Sequence, residues 1–206
     1  MADMDAIAEA LCAEIADAVF AYTQSDEISV LATDFTNPSS EPWFGGVVAK
    51  QVSITAATAT AVLNERRPGR RALFDARVFT IPDPVEGANY FLWRQRDAVS
   101  NSISMAAQAH FSPRQLHGVN SGRMQNLLWR ERGVNWNDYP AGFKRGRITV
   151  RDGPREVTYT DRRTSTTRTV TANRSWWCTT AAPRFNAQPG DWLATTIPAL
   201  PSLAAA

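Results

Sequence analysis

Two adjacent carboxylates, Asp26 and Glu27, lie in a short polar break between two apolar runs, Val19-Phe20-Ala21-Tyr22 and Ile28-Ser29-Val30-Leu31. The runs are rich in β-branched and aromatic residues and predict a β-hairpin with Gln24 to Glu27 at or near its turn. Adjacent residues on an extended chain point to opposite faces, so one carboxylate can face a site while the other braces the scaffold. A carboxylate at a strand end suits a hard cation such as Mg²⁺, which takes oxygen ligands and is usually held with substrate phosphates. The segment also reads as an ordinary hairpin tip, since Ser and Asp favour turns through local hydrogen bonds.

Other residues able to do chemistry are polar or basic. Arg94, Asp97 and Asn101 are spaced i, i+3, i+7 on a long helical pattern and share one face, either a wet face or one that binds phosphate and sugar. Arg66, Arg67, Arg70 and Arg71 surround a Pro-Gly break, as a solvated loop or a grip on phosphates. Lys144, Arg145, Arg147 and Arg151 follow one another along a further segment. Nucleotide loops of the Gly-x-x-x-x-Gly-Lys-Ser/Thr and Gly-x-Gly-x-x-Gly types are absent, as is Gly-x-Ser-x-Gly. His110 and His117 lack the partners of a zinc site, and no serine or cysteine triad is evident.

The elements that must position these groups can be read from periodicity and punctuation. Asp3 is placed to cap a helix over about 4–17, with Met4, Ile7, Ala8, Leu11 and Ile15 on one face. The hairpin spans about 19–33, and Asp34 to Glu41 is a turn-rich loop. Pro42 opens a second helix, to about 64. Leu73 to Ile81 reads as a strand. Asp83-Pro84-Val85-Glu86 carries a cap, a first-position proline and a third-position glutamate, starting a third helix to about Ala107. Ser112-Pro113 opens a short helix, and Asn120 or Ser121 a last one that stops at Gly133. Phe143 to Val150 reads as a cationic strand turned back through Arg151-Asp152-Gly153-Pro154 into Arg155 to Tyr159. From Ser175 onward the pattern is mostly loop. The order predicts an α+β fold, an antiparallel-rich sheet with helices against one face.

The chain has 206 residues, 44% of them hydrophobic, which suits a single globular domain with a sizeable core. No run approaches the roughly 18 apolar residues of a membrane span. The acidic N-terminus is unlike a signal peptide, and two cysteines suggest no disulfide framework. The expected compartment is the cytoplasm. Charge is lopsided: residues 1–49 hold nine Asp/Glu and no Lys/Arg, whereas residues 141–206 hold ten Lys/Arg and four Asp/Glu. That split suggests a cation at one end and a polyanion at the other, although charge runs are also ordinary solvated surface.

Together, Phe20-Ala21-Tyr22, Gln24-Ser25-Asp26-Glu27, Phe74-Asp75-Ala76-Arg77, Trp93-Arg94-Gln95 with Asp97 and Asn101-Ser102, Asn135-Trp136-Asn137 and Lys144-Arg145-Gly146 resemble the tRNA(His) guanylyltransferase family. Their order and spacing look like its bacterial branch of 3′-to-5′ RNA polymerases, over about residues 3–150. The resemblance implies a polymerase-palm-like antiparallel sheet backed by helices, in one catalytic domain over 1–206 (1–140 the palm core, 141–206 a basic C-terminal hairpin and tail). It implies Mg²⁺-dependent addition of GTP, or of a template-matched nucleotide, to the 5′ end of tRNA. ATP activates the 5′-monophosphate, or a 5′-triphosphate is already present, and the 3′-hydroxyl of the incoming nucleotide attacks. A homo-tetramer is also implied.

Residue by residue, the resemblance makes Asp26 a ligand of a two-ion Mg²⁺ site and catalytic, with Glu27 supporting it. Ser25, Asp26, Asn101, Lys144 and Arg145 would bind the nucleotide. Arg66, Arg67, Arg147 and Arg151 are the candidate RNA contacts. Arg145 stands where many members have Lys, and the two are not interchangeable. Val99 stands where eukaryotic members carry a His linked to tRNA(His) choice, which favours broader 5′-end repair. The family's first strand, with its metal-binding Asp and Gly-rich turn, has no counterpart before Met1, so the chain is expected to be N-terminally truncated, with weak or no activity. A catalytically impaired, RNA-binding remnant is the alternative.

Overall fold

The computed structural model describes residues 1–36, 40–153, 155–161, 163–172, 176–186 and 190–201. Asn37-Pro38-Ser39, Pro154, Arg162 and Arg174 lie outside the described residues. Helix α1 (Ala2–Glu14) leads into strands β1 (Ala18–Gln24) and β2 (Glu27–Ala32). Helices α2 (Val48–Arg66), α3 (Pro84–Gln108), α4 (Pro113–Leu116), α5 (Ser121–Arg132) and α6 (Ala141–Arg145) follow. The chain continues through β3 (Arg147–Asp152), β4 (Arg155–Thr160), β5 (Thr167–Ala172), β6 (Trp176–Ala181) and α7 (Trp192–Thr196).

The main sheet has the order β2-β1-β3-β6 and every pairing is antiparallel, while β4 and β5 form a separate two-stranded ribbon. This is the expected α+β class. Helices cover both faces of the sheet rather than one, and the alternation along β1 explains why. Phe20 and Tyr22 point toward α3, where they pack with Phe91, Ala98, Phe185 and Leu193. Ala21 points the other way and packs with Ala8 and Cys12 of α1. A strand apolar on both sides must be covered on both. The rings of Phe20 and Phe91 lie 4.5 Å apart, and fully burying a side chain of this size stabilises by about 1.5–3 kcal/mol. On the α1 side, burial pushes the Cys12 thiol up to about 12, with Glu9 adding to the effect.

Local signals placed several boundaries well. The Asp83 carboxylate accepts from the Glu86 amide, 2.9 Å away, at the start of α3. Ser112 and Gln115 close a capping box on α4. Asn120 caps α5, and Gly133, at φ 66°, ends it.

Other expectations need correction. Asp3 lies inside α1 and caps nothing; it pairs with Arg66 and Arg67 and so ties α1 to the end of α2. Those guanidiniums hold the Asp3 carboxyl below its ordinary range, the Arg67 hydrogen bond most of all. Trp43–Gly46 forms a tight turn in which Phe44 (φ 53°) and Gly45 (φ 59°) are left-handed, and α2 begins only after it. Leu73 to Ile81 is not a strand. Its entry is tied to side chains of α2 instead: Asn64 bonds both the amide and the carbonyl of Ala72, the residue just before it, and Thr60 accepts from the Phe74 amide. Residues 143–145 are helical, because the Phe143 and Lys144 amides bond back to Pro140 O. Strand β3 pairs with β6 instead of turning back onto β4, so the region after Ser175 contains a sheet strand and α7.

Candidate nucleotide site

Register Gln24↔Glu27 leaves only Ser25 and Asp26 in the hairpin loop. Ser25 takes φ 48°, a left-handed conformation uncommon for residues other than glycine. The loop tip abuts the polar line of α3. Glu27 forms an ion pair with Arg94, whose side chain is only 11% exposed. The Gln24 side-chain amide donates to Glu27 at 3.1 Å and to Asp97 at 3.3 Å. The Asp97 carboxylate also accepts from the Asn101 side-chain amide at 3.0 Å. The predicted i, i+3, i+7 face of α3 is therefore the face that meets the hairpin. Arg94 Nε and Gln24 Oε1 are buried here and make no hydrogen bond with the described residues.

A second group forms where α6 ends. Gly146 turns the chain from α6 into β3 at φ 78° and ψ −174°, a region open essentially to glycine alone. An added Cβ would lie 2.6 Å from the Tyr22 hydroxyl oxygen and 2.7 Å from the Thr23 carbonyl oxygen. The Tyr22 hydroxyl donates to Arg145 O at 2.7 Å. Burial raises the Tyr22 pKa above its ordinary value, more than Arg94 lowers it, so the hydroxyl stays a donor. Buried Gln95 ties down the next layer, donating to Pro183 O at 2.8 Å and accepting from the Phe185 amide at 2.7 Å. Lys144 Nζ donates to Asn137 O and lies 5.5 Å from the Trp136 ring centroid. The Trp136 indole in turn donates to Ser102 Oγ at 3.2 Å, on the residue after Asn101. The two groups therefore meet along α3.

The structure brings Glu27, Arg94, Asp97 and Asn101 into one cluster, with the Lys144-Arg145-Gly146 turn anchored beside it. Asp26 is exposed at the hairpin tip and forms no hydrogen bond or ion pair with the described residues. Its carboxylate and the oxygens of a bound phosphate would suit one Mg²⁺ ion. A two-ion site needs more: among the described residues no group of three or more His, Cys, Asp or Glu converges. Glu27 and Asp97 are engaged with Arg94, Gln24 and Asn101.

The expected RNA contacts divide. Arg147 is only 6% exposed and its guanidinium pairs with Asp5, so it fastens β3 to α1 and offers no surface to RNA. Arg66 and Arg67 are half-exposed, with Asp3 as partner. Arg151 is exposed, its guanidinium 4.9 Å from the Trp177 ring centroid.

Sequence reasoning gave no site role to Tyr22, Gln24 or Gln95. One signal for Gln95 was present: a polar residue interrupts the buried stripe Phe91, Gln95, Ala98 of α3.

The fold and these clusters define an α+β domain whose antiparallel sheet, between helices, presents one hairpin tip to a polar helix face. The family model for tRNA(His) guanylyltransferase matches residues 1–82. A bacterial tRNA(His) guanylyltransferase-like protein in complex with ATP is 41% identical, with a TM-score of 0.69, covering 72% of this chain and 67% of that one. A bacterial tRNA(His) guanylyltransferase-like protein in complex with GTP is 34% identical, with a TM-score of 0.70, covering 89% and 71%. The probable tRNA(His) guanylyltransferase of Drosophila melanogaster is 28% identical over 165 residues, 72% of this chain and 56% of its own length. The chain belongs to the tRNA(His) guanylyltransferase family. It spans little more than half the length of that curated relative.

Proposed function

We propose that the protein is a Mg²⁺-dependent nucleotidyltransferase that adds GTP, or a template-matched nucleotide, to the 5′ end of tRNA. The observation that carries this reading is the cluster of Gln24, Glu27, Arg94, Asp97 and Asn101, joined through Ser102 and Trp136 to Lys144. In this reading the triphosphate lies between Asn101 and the Lys144-Arg145 turn. Lys144 keeps ammonium donors beyond the one on Asn137, and the buried Arg145 Nε has no acceptor among the described residues. Ser25 and Asp26 close the site from the hairpin tip. A Mg²⁺ ion held by Asp26 and the phosphates would supply charge neutralisation when bound.

The chain's own work is to hold the incoming 3′-hydroxyl against the activated tRNA 5′ phosphorus. A new phosphodiester forms there, and AMP or pyrophosphate leaves, depending on how the 5′ end was activated. The reading takes tRNA, GTP and ATP as partners, the cytoplasm as compartment and a homo-tetramer as assembly. The lone carboxylate at the tip favours one rival reading: a family member that binds RNA without transferring nucleotides. Incubating the chain with radiolabelled GTP, Mg²⁺ and a 5′-triphosphorylated tRNA separates them. Labelled tRNA supports transfer, whereas RNA affinity without label supports the rival.

A further inference from the structure

Tyr90, Trp93, Arg94, Asp97 and Asn101 form one continuous stripe along α3, at spacings that keep them on neighbouring turns. Arg94, Asp97 and Asn101 belong to the cluster already described. The N-terminal part of the stripe is aromatic. The Tyr90 ring meets Phe79 edge-on with centroids 5.5 Å apart, and the Trp93 ring at 6.4 Å. Trp93 is 58% exposed and Phe79 60% exposed, large values for rings that touch a common neighbour. The Arg94 guanidinium lies 5.2 Å from the Trp93 ring centroid. The Tyr90 and Ser29 hydroxyls are 2.9 Å apart, which fixes the aromatic group to β2.

We infer that Trp93 and Phe79 form a stacking platform for an unpaired base of an RNA strand. Exposed aromatic rings bind single strands because every base has a π-face. Arg94 is paired with Glu27 and is therefore a support for the Trp93 ring rather than a phosphate contact. The position agrees with an RNA ligand. Trp93 and Asn101 are eight residues apart, about 12 Å along the helix axis. A strand entering the cluster at Asn101 therefore has room to lay a base on Trp93. Trp93 stands on α3, so stacking on it needs little reordering, while Phe79 is held by its contact with Tyr90. This inference rests on the reading above in taking RNA as the ligand.

The test compares Trp93→Ala, Trp93→Tyr and Phe79→Ala with the wild-type chain, by anisotropy of a labelled single-stranded RNA and of its duplex. Trp93→Ala should weaken single-strand binding by about 5- to 100-fold, the range for one lost stacked base. Phe79→Ala should weaken it less, and Trp93→Tyr should restore most of it. GTP affinity should not move, and the salt slope should stay unchanged because no phosphate contact is removed. Equal single-strand affinity in both alanine variants would overturn the inference, as would an equal loss on the duplex. So would a loss of GTP affinity, which would assign the rings to the nucleotide's own base. A change in sedimentation with RNA affinity intact would assign them to a protein partner and also overturn it. If wild type labels tRNA and Trp93→Ala binds RNA as well as wild type, this inference alone fails. If Trp93-dependent RNA binding persists in a chain that transfers no nucleotide, the nucleotidyltransferase reading fails and this one stands.

Discussion

Replacing Gly146 by alanine tests whether the Lys144-Arg145 turn is built as described. Two costs combine at this position. A residue with a Cβ is forced into φ 78°, ψ −174°, and that Cβ meets the Tyr22 hydroxyl oxygen at 2.6 Å and the Thr23 carbonyl oxygen at 2.7 Å. Neither contact is the far end of a flexible chain, because Tyr22 is buried and Thr23 is sheet backbone. Backbone strain of about 1–3 kcal/mol and overpacking of about 1–3 kcal/mol give a total loss of roughly 2–6 kcal/mol. At roughly 2–4 °C per kcal/mol for a chain of this size, the melting temperature should fall by about 4–24 °C. Gly69→Ala is the internal control, since Gly69 has φ 79° and nothing within 4 Å of its added Cβ. Strain alone should cost it about 1–2 kcal/mol. Urea titration of both variants, with GTP binding measured alongside, reads the difference. Equal stability of Gly146→Ala and Gly69→Ala would refute the steric reasoning. Unchanged GTP affinity in a folded Gly146→Ala chain would refute the claim that this turn positions nucleotide-binding groups.

Two further outcomes follow from the same contacts. Asp97→Ala removes the acceptor shared by the Gln24 and Asn101 side chains; Gln24 keeps its bond to Glu27, so stability should fall by only about 0.5–1.5 kcal/mol, the net worth of a single hydrogen bond, and GTP affinity should fall with it, by calorimetry. Asp3 has a lowered folded pKa, so its contribution is present above the unfolded carboxyl pKa of about 3.9 and is lost as pH falls through the folded value. Melting curves from pH 5 to pH 2 should show this loss in the wild-type chain and a flatter profile in Asp3→Asn.

What was legible in the sequence is what local chemistry determines. The hairpin at Gln24 to Glu27, the caps at Asp83, Ser112 and Asn120, and the stop at Gly133 all depend on residues within a few positions of one another. The polar face Arg94-Asp97-Asn101 was legible for the same reason, as helical spacing alone groups it. Long-range pairing was not. Strand β6 exists because β3 is there to pair with it, Arg147 opposite Ala181, and nothing near Trp176 announces that partner. Leu73 to Ile81 carries a strand's residue types, yet Asn64 holds the backbone of Ala72 just before it and Thr60 takes the Phe74 amide that a ladder could use. For the candidate site, residue types pointed to Asp26 and Asn101 and the family resemblance to Lys144, but the Tyr22 to Arg145 bond crosses 123 positions and belongs to the folded chain alone. Arg147 was misassigned because a charge pattern does not reveal that Asp5 lies opposite it.

The central claim is that the hairpin tip serves nucleotide transfer, and Asp26→Ala tests it most directly. Asp26 is exposed and bonded to no described residue, so the substitution should leave the folding free energy within about 0.5 kcal/mol of wild type, as for surface positions. In an assay with radiolabelled GTP, Mg²⁺ and 5′-triphosphorylated tRNA, the wild-type chain should label the RNA, whereas Asp26→Ala should not and should still bind tRNA. Labelling by Asp26→Ala at the wild-type rate, or none by the wild-type chain under any divalent cation, would contradict the account.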